Sequence, residues 1–134
     1  MLYLLDTDIA SYIIKSASPA AESRLASIPP DQVAVSVITS AELLYGLKRL
    51  SAANRMQATV RQFLSVVRVL PWEQQAAECY AEIRHQLITA GTPIGELDMM
   101  IAAQALALGA TLVTNNTRHY ARIQAPLLLE NWTI

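Results

Sequence analysis

Short runs of β-forming residues recur along the chain at Tyr3 to Leu5, Val33 to Val37, Val66 to Leu70 and Thr111 to Thr114. Longer stretches separate them, with apolar residues at helical spacing. Strands joined through helices run parallel, and a parallel sheet needs both faces covered. The alternation therefore predicts an α/β fold with a small, mainly parallel sheet between helical layers. Pro29-Pro30 and Pro71 punctuate the pattern beside strands, and residues 89–95 form a loop with two glycines and a proline. There are no internal repeats, low-complexity tracts or linkers, and 134 residues is an ordinary size for one domain, so a single domain over 1–134 is expected.

Ten basic residues face eleven acidic ones. That balance argues against a chain that coats nucleic acid by bulk charge, but not against an enzyme gripping a few phosphates locally. Cys79 is the only cysteine, which rules out an internal disulfide and suits a reducing compartment. It shares a helical stripe with Ala76, Tyr80, Ile83 and Leu87 and reads as core filler. No basic leader precedes the first strand, and the most apolar stretch, Met99 to Val113, is too short to span a bilayer. A soluble cytoplasmic protein with no membrane contact is expected.

The carboxylates can be placed on this frame. Asp6 follows the first strand, Glu42 lies in the helical segment after the second, and Asp98 opens a later helix. Each has a structural explanation: Asp favours helix starts, Thr39 with Glu42 has capping-box spacing, and Asp98 complements a helix dipole. Their coincidence is harder to dismiss. In an open parallel sheet the strand ends that feed helices share one edge, and ligands bind there. Thr114, Asn115 and Asn116 reach the same edge. Three acids gathered without a nearby Lys or Arg repel one another, and a hard divalent cation relieves them. Without a His or Cys cluster the metal expected is Mg²⁺, with Mn²⁺ as a substitute.

The segments "LLDTDIASYII", "VSVITSAELLYGL" and "TPIGELDMMIAAQALALGATLVTNNTRHYARI" resemble, in order and spacing, the blocks of the PIN domain, and especially of the VapC toxins of bacterial toxin–antitoxin pairs. The resemblance covers nearly the whole chain. It implies a three-layer α/β/α domain with four or five strands, and a metal-dependent endoribonuclease acting on tRNA or another structured RNA. It also implies homodimerisation and inhibition by a VapB-type antitoxin that inserts a peptide segment beside the metal site, with DNA met only through that antitoxin. Position by position, the family's metal-binding acids fall on Asp6, Glu42 and Asp98, and its small hydroxyl residue on Thr7. Two positions depart: Asp8 stands where many relatives carry Asn, and Asn116 where many PIN domains carry a fourth acid, which favours one firmly held ion. In this reading Asp6 is the ligand and Asp8 mainly caps the helix.

A bound ion polarises a phosphodiester and lowers the pKa of water, so that hydrolysis leaves 5′-phosphate and 3′-hydroxyl ends. Asn116 and Thr114 are placed to orient water or a phosphate oxygen. Arg118 and Arg122 bracket Tyr120, a candidate surface for phosphate and base stacking. Lys48 and Arg49 are candidates to face RNA or antitoxin, His119 is a lesser candidate for support, and His85 reads as exposed. Apolar residues from Leu43 to Leu64, among them Met56, Val60 and Phe63, read as core, or as a dimer or antitoxin contact. The main alternative is a D-x-D phosphatase with Asp6 as nucleophile and Asp8 as general acid, but the chain has no lysine after Lys48 to complete that site. The other is a PIN-like binding module with an inactive site, against which three retained acids count.

Overall fold

The computed structural model describes residues 1–134. In chain order it contains β1 (Tyr3–Leu5), α1 (Thr7–Ile14), α2 (Pro19–Ala26), β2 (Val33–Ser36), α3 (Val37–Lys48), α4 (Met56–Val66), β3 (Arg68–Leu70), α5 (Gln74–Thr89), α6 (Glu96–Leu108), β4 (Thr111–Val113), α7 (Thr117–Tyr120) and β5 (Leu128–Glu130). The five strands lie in the order β3-β2-β1-β4-β5, and every pairing is parallel. The expected class is thus observed. In register, Tyr3 pairs with Val33 on one side and Thr111 on the other.

Strand alternation divides the core in two. Leu4, Ala34 and Leu112 face α5 and α6, where Ile83, Leu87, Met99, Ile101 and a run of alanines close over them. Tyr3, Leu5, Val33, Val35 and Val113 face the other way, onto Ile9 and Ala10 of α1 and Ala21 of α2, with Phe63 of α4 packed alongside. Helix α3 contributes to both cores, Ile38 to the first and Leu43 to the second. Residue Gly109 ends α6 in the left-handed conformation at φ 63°, which a side chain resists, and the Ala110 N–H returns to the Ala105 carbonyl.

The structure departs from the sequence reading at several boundaries. Val37 opens α3 rather than closing β2, because the Ser36 hydroxyl accepts from Ile38 N at 3.0 Å and starts the helix there. Val66 ends α4 with most of its surface exposed, so the third strand starts at Arg68. The segment from Leu43 to Leu64 is two helices, and Val60 is its buried anchor on α4. Strand β5 was not legible from alternation. It is held at the sheet edge, where Thr114 N donates to the Glu130 carbonyl, and by a clamp in which Arg24 lies over the rings of Tyr3 and Trp132 and pairs with Glu130 at 3.2 Å. Cys79 is half-buried against the α5/α6 core, as its stripe predicted. No helix is long and apolar enough to cross a membrane.

Candidate active site

From the central β1 the chain builds outward to β2 and β3 on one side, then returns to place β4 and β5 on the other. The crevice at such a reversal, at the carboxyl ends of β1 and β4, is the binding position of open parallel sheets. Asp6 stands there with only 4% of its surface exposed. Its N–H donates to the Val113 carbonyl at 2.9 Å, and its Oδ1 accepts from Ile9 N at 2.9 Å. Asp6 is therefore itself the N-cap of α1, while Asp8 is exposed in the first turn. This corrects the capping role expected of Asp8: the extended backbone of Asp6, at φ −74° and ψ 173°, lets its own carboxylate reach the third helical N–H.

Burial pushes the Asp6 carboxyl up to about 6. The Ile9 N–H and the Thr114 hydroxyl pull it back in part, and the charges of Asp8 and Asp98 push it further up. A buried, half-compensated anion beside a second carboxylate marks a functional site more often than a structural one. Thr114, fully buried, also accepts from Asn116 N at 3.0 Å and so shapes the β4 exit.

Asp98 lies in the first turn of α6, with 44% of its side chain exposed. His119 Nε2 approaches its Oδ2 to 3.4 Å, a contact that lacks the alignment of a hydrogen bond. The hydroxyl of Tyr120 lies near Asp98 and Asp6, and burial together with these two charges holds it well above the usual tyrosine range. Tyr120 is only 2% exposed, which corrects its reading as a stacking surface: the ring belongs to the α5/α6 core.

Glu42 is placed differently. Its Oε1 accepts the Thr7 hydroxyl at 2.6 Å, and Thr7 Oγ1 lies 3.0 Å from that of the buried Thr39. The capping-box spacing is thus not used as a cap; Ser36 fills that role. Asp6 and Asp98 lie near enough for the charge of Asp98 to raise the Asp6 carboxyl, whereas no three His, Cys, Asp or Glu side chains are grouped to hold one ion, and the Glu42 carboxylate is engaged by Thr7. The donors nevertheless suit a hard cation. They are oxygens, Asp6 is buried, and no Lys or Arg pairs with Asp6, Asp8, Glu42 or Asp98.

Asn116 precedes α7 with no capping bond from its side chain. Arg118 is exposed, and Arg122 donates to the Pro93 carbonyl at 3.3 Å in the loop before α6. His85 and Lys48 are exposed. A groove of about 410 Å³ between α1, α3 and α4 is lined by Asp8 and Glu42 together with Lys15, Arg49 and Asn54. Sequence reasoning read Thr39 only as a capping-box residue, not as a partner of Thr7, and missed the Tyr120 hydroxyl. The only available signal for Tyr120 was its i, i+3 pairing with Ile123, also buried.

Five parallel strands with Asp6 and Asp98 at the switch point define an open-sheet α/β domain with an acidic crevice, and the PIN-domain family model matches residues 3–125. The chain belongs to the PIN-domain family. It is 35% identical to Ribonuclease VapC2 of Rickettsia felis and 34% identical to the tRNA(fMet)-specific endonuclease VapC of Shigella flexneri, each match covering 98% of both chains. Among solved structures it superimposes on DNA-bound VapBC from Salmonella typhimurium with a TM-score of 0.90 at 36% identity, covering 98% of this chain and 99% of the other. This kinship favours the nuclease over the phosphatase alternative, and the exposed, solvent-facing Asp8 provides no buried general acid for the latter.

Proposed function

We propose that the chain is the endoribonuclease toxin of a VapBC-type toxin–antitoxin pair, hydrolysing phosphodiesters of tRNA or a comparably structured RNA. Full-length kinship to VapC ribonucleases carries the reading, and the buried Asp6 near Asp98 at the sheet switch point supports it. Asp6 and Asp98 would hold Mg²⁺ or Mn²⁺, and Glu42, engaged by Thr7 in this structure, is the third acid of the same edge. When bound, the ion supplies charge neutralisation at the phosphate and activation of water. The chain's own part is to hold Asp6 through the Ile9 N–H and to orient water or a phosphate oxygen through Thr114 and Asn116. Exposed Arg118 and the Lys15 and Arg49 of the groove meet flanking phosphates.

The partners in this reading are a VapB-type antitoxin, whose peptide segment enters the groove beside the acids, and a second copy of the chain. Exposed Val37, Tyr45, Leu50 and Leu97 provide apolar surface for such contacts. DNA is reached through the antitoxin, and the setting is the cytoplasm. The test is cleavage of total tRNA by the purified chain with Mg²⁺, with EDTA, and by Asp98→Asn. Metal-dependent cuts that Asp98→Asn loses are expected; cleavage that continues in EDTA, or at parental rate in Asp98→Asn, overturns the reading.

A further inference from the structure

Helix α7 is a single turn, yet two of its consecutive residues address one carboxylate. His119 Nε2 is buried, has no hydrogen-bond partner, and lies 3.4 Å from Asp98 Oδ2. Leaving such a group unsatisfied is costly, so the arrangement persists only if something else fixes it. The fixing element is next door. The Tyr120 ring is sealed in the core with Met99 and Ile123 and meets the His119 ring edge to face, 5.4 Å apart at 85°. Its hydroxyl lies within the influence of Asp98, whose charge adds to burial in holding it well above the usual tyrosine range. A phenylalanine would fill the same space without placing a polar atom there, so the hydroxyl is explained by the acids near it.

We infer that His119 and Tyr120 are positioning residues, which together orient the Asp98 carboxylate toward Asp6 so that the two acids present oxygens to one cation. The inference rests on the metal reading above. Neither residue touches substrate; both act through Asp98. Groups that orient a ligating carboxylate in this way are worth about 10–100-fold in metal affinity.

The experiment is a Mn²⁺ titration of the full chain without RNA, read by calorimetry. The variants are Tyr120→Phe, His119→Ala, His119→Gln, Asp98→Asn and the Tyr120→Phe/Asp98→Asn pair. Tyr120→Phe and His119→Ala are expected to bind Mn²⁺ about tenfold more weakly, and His119→Gln, which keeps a donor, to recover part of the loss. Tyr120→Phe is expected to add nothing once Asp98 is Asn. If Tyr120→Phe fails to fold, the partly exposed His119 carries the test. Weakened binding in Asp98→Asn with parental affinity in both Tyr120→Phe and His119→Ala overturns the positioning role alone, as does an undiminished Tyr120→Phe effect in the Asp98→Asn background. Parental Mn²⁺ affinity in Asp98→Asn overturns the metal reading itself, and with it this inference.

Discussion

The two faces of the sheet are built to different standards. Over one face, α6 buries Met99, Ile101, Ala102, Ala103, Gln104 and Ala105 in a nearly unbroken run, and α5 adds Ala76, Ile83 and Leu87. Small alanines let these helices sit close to the strands. Gln104 is the one polar side chain in that run, and it ties α6 to the Pro71 carbonyl at 2.9 Å. On the other side α1 and α2 bury Ile9, Ala10 and Ala21, but the twelve-residue α3 buries only Thr39 and Leu47, and α4 only Val60. What α3 and α4 leave unfilled is the groove that Asp8 and Glu42 help to line. The lesson is a division of labour: the closed layer supplies rigidity to Asp98 and the switch point, and the open layer supplies access.

The largest effect expected falls on chemistry with little cost to the fold. Asp6→Asn should lower RNA cleavage about a thousandfold, equivalent to ~4 kcal/mol, while preserving the helix cap, because Asn caps about as well as Asp. Steady-state kinetics alongside circular dichroism check both halves. Next, Leu87→Ala in the closed layer should destabilise by about 3 kcal/mol in urea unfolding, whereas the half-buried Leu43→Ala on the open side should cost about 1. Equal costs would erase the contrast between the faces.

The third expectation concerns pH. The folded Asp6 carboxyl titrates near 6, above its ordinary 3.8, so the native state holds a proton that the unfolded chain releases between these values. The contribution favours folding below about pH 4 and is lost as pH rises through 6, on the order of 2–3 kcal/mol. Metal-free Asp6→Asn should therefore match the parent near pH 4 and exceed it in stability by about 2 kcal/mol at pH 7. Unfolding measured across that range with chelator present decides it. The smallest effect is Arg49→Gln, at the groove wall: stability should stay within about 0.5 kcal/mol, while KM for RNA rises. An unchanged KM would remove Arg49 from the RNA path.

The closed layer was largely legible in the sequence and the open one was not. The stripe of Ala76, Cys79, Ile83 and Leu87 advertises burial by period alone, and a strand end followed by Asp6 together with a helix opened by Asp98 locates the crevice. The capping residues were misassigned because Asp6 and Asp8, or Ser36 and Thr39, are chemically equivalent caps, and only backbone angles decide between them. Tyr120 was misread as a surface ring since a four-residue helix has no periodicity to show which way it faces. Glu42 was placed at the right edge, but its bond to Thr7, 35 positions away, is a product of tertiary packing that local pattern does not encode.

The late strand β5 carries a consequence for synthesis. Thr114, whose hydroxyl faces Asp6, has its N–H secured only when Glu130 arrives, and Glu130 is in turn gripped by Arg24 from near the amino terminus. A nascent chain has made Asp6, Glu42 and Asp98 well before it makes this lock. The growing polypeptide thus holds all its acids while the edge that braces them is still missing, and the Thr114 side of the crevice is locked only once β5 has docked.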